Sequence, residues 1–151
     1  MTSSTLQTTP HLWLGFDFGE RRIGVAVGQS ITRSARPLTV LPTRQRGQVD
    51  WAAIEKLIRT WSPEGVAVGV PRRDDGSAYP VTPLAERFAR QLHGRYHLRV
   101  ESVDERLSSF EASERLGFGK QQAALDAGAA AVILETWFSQ YQGAEINTSA
   151  P

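Results

Sequence analysis

Apolar residues first cluster at Trp13-Leu14-Gly15-Phe16 and again at Ile23-Gly24-Val25-Ala26-Val27, on either side of Gly19-Glu20-Arg21-Arg22. Two strand-length apolar runs around a short Gly-containing turn predict a β-hairpin over about 12–18 and 22–29. A short third strand is predicted near 36–41, where Pro37 suits a strand start or a sheet edge. Asp50 reads as the N-cap of a helix in which Trp51, Ile54, Leu57, Ile58 and Trp61 recur at helical spacing, and Pro63 stops it. Val66-Ala67-Val68-Gly69-Val70 is a near-continuous apolar run, as in a strand covered on both faces. A polar loop over 71–79 leads into a second helix capped by Thr82, with Leu84, Phe88 and Leu92 as its stripe and Gly94 as its end. Leu98, Val100 and Val103 predict a fifth strand closing on Asp104-Glu105-Arg106. A third helix is expected to start at Ser108 or Ser109. A long Ala-rich helix follows over about 122–138, with Asp126 in its first turn.

The order βββαβαβαα predicts an α/β domain with a mixed sheet, antiparallel on one side and parallel on the other, with helices on both faces of the parallel part. One domain over 11–140 is expected between loose tails at 1–10 and 141–151, and there are no internal repeats.

Composition narrows the chemistry. A chain of 151 residues holds one real core and little else. The balance of 17 basic and 16 acidic residues gives a net charge of +1, so no global field draws the chain to nucleic acid. Lysine occurs only at Lys56 and Lys120, and arginine supplies the rest of the positive charge. The absence of cysteine excludes disulfides and thiolate zinc sites. Residues 1–5 lack the pattern of a secretory signal, and no apolar run approaches the roughly 20 residues that span a bilayer. These features predict a cytoplasmic protein, monomer or weak homodimer, with no membrane association.

Acids stand out by position. Asp17 lies inside the first apolar strand, although Asp is depleted in strands and costly to bury without a partner or a cation. Asp104 and Glu105 end the fifth strand, where open α/β sheets place their reactive crevice. Asp126 begins a helix expected to pack tightly on the sheet, where an acid is also favoured by the helix dipole alone. If the first, fourth and fifth strands are neighbours, Asp17 and Glu105 converge at one end and Asp126 closes the set. Oxygen-only ligands point to Mg²⁺ or Mn²⁺, and two such ions about 4 Å apart support phosphodiester cleavage. Asp74-Asp75-Gly76 marks a turn, the three histidines are scattered, and Trp13, Trp51, Trp61 and Trp137 read as packing residues.

Four motifs together resemble one family. Phe16-Asp17-Phe18-Gly19 with Arg22-Ile23-Gly24-Val25-Ala26, Val68-Gly69-Val70-Pro71 with Asp75-Gly76, Asp104-Glu105-Arg106-Leu107-Ser108, and Asp126 with its Ala-rich helix are similar to the YqgF/RuvX family. The resemblance runs from about Leu12 to Phe138. It implies an RNase H-like fold, a five-stranded mixed sheet in the order 3-2-1-4-5. It also implies a divalent-metal nuclease, with two Mg²⁺ or Mn²⁺ ions, maturing the 5′ end of precursor 16S ribosomal RNA.

 The site that the family pattern implies is the acidic set Asp17, Glu105 and Asp126, with Asp104 as the possible additional acid, since the Asp-Glu pair leaves open which carboxylate points inward. Arg22, Arg72, Arg73 and Arg106 are the candidates to hold a nucleic-acid backbone. Arg72-Arg73 stand where the family more often has an apolar residue and Asn, Ser108-Ser109 stand where Thr is frequent, and the stretch from Gly117 to Asp126 is short.

The expected partner is therefore a ribosomal RNA precursor or another structured nucleic acid. Three other readings also fit features of the sequence. A Holliday-junction-type DNA resolvase and a non-catalytic RNA-binding assembly factor both fit the same fold. An Asp-x-Gly hairpin also resembles the phosphate-binding turn of sugar kinases and actin-like ATPases, but those chains need two such domains.

Overall fold

The computed structural model describes residues 8–45, 48–107 and 122–149, with side chains described over 126–140 in the last stretch. Its strands are β1 (Thr9–Phe18), β2 (Arg22–Gln29), β3 (Ser34–Pro42), β4 (Pro63–Arg73) and β5 (Arg99–Leu107). Its helices are α1 (Trp51–Trp61), α2 (Thr82–Tyr96) and α3 (Gln122–Ser149). The sheet runs β3-β2-β1-β4-β5, with β1 antiparallel to β2 and parallel to β4, and β5 parallel to β4. This is the expected RNase H-like order. The helix expected from Ser108 or Ser109 lies outside the described residues.

Strand alternation divides the core into two layers of different texture. Leu14, Phe16, Phe18, Ile23, Val25, Val66, Val68 and Val70 face α1 and α2, where Ile54, Ile58, Phe88 and Leu92 complete a layer of large side chains. The other face carries Trp13, Ala26, Ala67 and Val103 against Ala130, Ala131, Ile133, Leu134 and Phe138 of α3. Small residues on both sides let α3 sit close to the sheet, so an Ala-rich helix is what this face needs. The helix is not buried all round: Val132 is 58% exposed.

Element ends differ from the sequence expectations for identifiable reasons. β1 begins at Thr9, inside the expected tail, because the Thr9 amide donates to the Ser62 carbonyl. β4 continues through Pro71, Arg72 and Arg73, which pair with Glu105, Arg106 and Leu107, so the expected loop at 71–79 shortens to a turn. Gly76 takes a φ of 89° in that turn, which suits a residue without a Cβ. The Ser77 hydroxyl and then its amide donate to the Asp75 carboxylate and hold it below the ordinary range. Thr82 is the first residue of α2 rather than its cap; its hydroxyl donates to the Pro71 carbonyl and accepts from the Tyr79 amide. α2 ends at Tyr96, past Gly94, where His97 takes the left-handed cap conformation. α3 continues to Ser149, beyond the end expected near 138, and Asp126 lies inside it rather than in its first turn.

The expected cap of α1 is present, with the Asp50 carboxylate accepting from the Ala53 amide at 3.3 Å. Asp50→Ala is expected to cost about 1 kcal/mol, read as a lower urea midpoint at unchanged m-value.

Candidate active site

Phe16 and Phe18 pack under Phe88 on the α2 side of the sheet, so Asp17 between them must project to the α3 side. It is 7% exposed. Its register partners are Gly24 on β2 and Gly69 on β4. Both glycines are required by what lies over them. A Cβ on Gly24 would overlap the Asp126 carbonyl, and a Cβ on Gly69 would lie 2.7 Å from Glu105 Oε1. The missing side chains on either side of Asp17 thus make room for the second and third acids.

The same alternation separates Asp104 from Glu105. Glu105 pairs in register with Pro71 and turns its carboxylate over Gly69, on the Asp17 face. Asp104 pairs with Val70, whose side chain belongs to the α1/α2 layer, and is exposed on that opposite face. There it meets Arg106 Nε at 3.0 Å and Arg72 Nε at 3.9 Å.

Asp17 and Asp126 line one pocket of about 150 Å³ together with Phe18, Gly19, Arg22 and Tyr79. Glu105 stands beside that pocket rather than in its lining. Asp126 is 8% exposed and accepts a 2.9 Å hydrogen bond from Arg22 Nε, a charge-assisted contact. Arg22→Ala is expected to lower stability by about 1.5–3 kcal/mol in urea titration, the usual worth of a hydrogen bond to a charged group. Among the described residues, no three acid or imidazole side chains are gathered closely enough to hold an ion as they stand.

The arginines expected to hold a nucleic-acid backbone are engaged within the chain. Arg22 is on Asp126. Arg72 pairs with Glu86 at 2.8 Å. Arg73 donates to the Ala78 carbonyl and lies 4.7 Å from the Tyr79 ring centroid. Arg106 reaches Asp104 and the Asp74 carbonyl. Three of them fasten the 74–79 turn to the sheet, and Tyr79 is fixed further by its hydroxyl bond to the Leu107 carbonyl at 2.7 Å. The sequence reading missed Tyr79 as a wall of the pocket. It also missed Gly24 and Gly69 as the positions that admit the acids, although a glycine inside a strand is itself a signal of close backbone approach.

Comparison with known proteins identifies the family. The family model described as "RuvX: Holliday junction resolvase" matches residues 11–140. A protein of Nitrosococcus oceani, named as a candidate pre-16S rRNA nuclease, is 50% identical over 138 residues, covering 88% of this chain and 90% of its own. A protein of Azotobacter vinelandii with the same name is 48% identical over 136 residues, covering 87% and 95%. Among solved structures, Thermus thermophilus RuvC in complex with a Holliday junction substrate superposes with a TM-score of 0.51 at 19% identity, covering 88% of this chain and 96% of that one, a likeness of fold. No helix among the described residues is long and apolar enough to cross a membrane. With a family match over nearly the whole described chain and relatives at about half identity, the chain belongs to the RuvX family of Holliday-junction-resolvase-like nucleases, which are phosphodiester hydrolases.

Proposed function

We propose that this chain is a divalent-metal-dependent endonuclease that matures the 5′ end of precursor 16S ribosomal RNA in the cytoplasm, with Asp17, Glu105 and Asp126 as its acidic set. The observation that carries the reading is the placement of the three acids on one face, at the register positions where Gly24 and Gly69 leave space. The names of the curated relatives supply the substrate.

The donor set fits Mg²⁺ or Mn²⁺, because it consists of carboxylate oxygens alone and two of its members are nearly buried. Two such ions would be held by Asp17, Glu105 and Asp126; when bound, they supply an activated water and stabilise the leaving oxygen. The protein's own contribution is positional. The sheet fixes the Asp17 and Glu105 backbones through parallel pairing on both sides of β4. The α3 backbone over Gly24 fixes Asp126. Arg22 neutralises Asp126 and must yield or share that carboxylate when a cation enters, which makes it a positioning residue. Phe18, Tyr79 and Pro71 form an apolar wall beside the acids.

The test is a cleavage assay on precursor 16S RNA with Mg²⁺, with Mn²⁺ and with chelator. Cutting at the 5′ end that requires the metal is the expected result. RNA binding without cutting under any metal would replace the nuclease with an assembly factor, and cutting confined to a four-way DNA junction would replace the substrate.

A further inference from the structure

Another cavity, of about 420 Å³, lies across Phe18 from the acidic pocket, and Phe18 lines both. Gln48 and Trp51 bound it at the start of α1, and Arg87, Phe88 and Gln91 bound it on α2. Its volume falls in the roughly 300–1,000 Å³ typical of small-molecule sites, whereas the acidic pocket is smaller. Trp51 is held between Phe88, stacked at 5.7 Å, and the Arg95 guanidinium, 4.1 Å from its ring centroid. The aromatic wall is therefore fixed in place.

The charge of this cavity bears on its ligand. Among the described residues that line it none is acidic, and Arg87 is the one cation. Arg87 is exposed and has no carboxylate partner among the described residues, unlike Arg22, Arg72 and Arg106. A guanidinium of this kind suits a phosphate, and the amides of Gln48 and Gln91 offer both donors and acceptors to a base edge.

We infer that the cavity between α1 and α2 is a subsite for one unpaired nucleotide of the substrate strand, next to the phosphate that Asp17 addresses. Arg87 holds the phosphate of that nucleotide, and Gln48 and Gln91 meet its base. The inference rests on the nuclease reading for its substrate class. It adds a requirement that the strand be unpaired beside the cleavage point.

The test is fluorescence anisotropy with a labelled single-stranded RNA and a blunt duplex RNA of equal length, on the full chain in chelator so that nothing is cut. Arg87→Gln is expected to weaken single-strand binding about tenfold and to lower the salt slope by about one, as loss of one phosphate contact requires. Arg90→Gln, exposed on the same helix but outside the cavity, is expected to change binding less than about threefold. Gln91→Leu is expected to erase the preference for single strand over duplex. An Arg87→Gln affinity within about twofold of the parent, or equal losses in the Arg87 and Arg90 variants, overturns the subsite. Because the readout is binding, absence of cleavage by the parent chain would remove the nuclease reading while leaving the subsite result to stand or fall separately.

Discussion

Asp17→Asn is expected to reduce cleavage of precursor 16S RNA by at least about 100-fold while leaving the fold intact. Outer-shell partners of a metal site alone are worth about 10–100-fold, so a carboxylate that holds the ion should cost more. Asn keeps the shape of Asp and removes its charge, at a position 7% exposed and flanked by the places where Glu105 and Asp126 approach. The variant is therefore expected to fold, and its melting temperature without metal separates a folding defect from lost chemistry. Linkage gives an independent readout: adding Mn²⁺ should raise the melting temperature of the parent and not that of the variant, since only an ion bound by the native state stabilises it. Wild-type cleavage by the variant would remove Asp17 from the catalytic set.

Gly24→Val is expected to destabilise the chain by about 3 kcal/mol, at the upper end of overpacking costs. For a chain of 151 residues that corresponds to a fall of roughly 6–12 °C in Tm. The cause is specific: any Cβ at this position meets backbone atoms of Asp126 and Ala127, which cannot rotate aside as a flexible side chain can. Relief requires α3 to move off the sheet, and Asp126 moves with it, so activity should fall with stability. Gly94→Ala on α2 is the control, because a Cβ there meets nothing within 4 Å. That change should stabilise by about 0.5–1 kcal/mol through helix propensity. Calorimetry on the two variants, which are expected to shift in opposite directions, tests the close approach of α3.

Much of the fold is legible locally. The hairpin at 12–29, the Asp50 cap and the apolar run of β4 each rest on contacts or periodicities within a few residues. Strand ends are less so. Arg72, Arg73 and Arg106 read as loop or strand-end charges, yet β4 and β5 extend through them because each strand supplies the other's hydrogen bonds. Thr82 has the composition of a cap, but a distant acceptor, the Pro71 carbonyl, takes its hydroxyl. The same limit applies to the arginines: nothing in the local sequence distinguishes Arg72, which meets Glu86, from Arg87, which has no such partner among the described residues.

By itself, the sequence determined that this protein builds an α/β sheet with an acid in its first strand, and that no thiolate can serve as a metal ligand. Both follow from residue type and short-range period. Only the tertiary structure decided that Glu105 rather than Asp104 shares the face of Asp17, because pairing of β5 with β4 sets which of two adjacent side chains points where. It also decided that Asp126 reaches that face, since α3 can descend onto β2 only over a glycine. Those are relations between elements far apart in the chain, and long-range packing alone sets them.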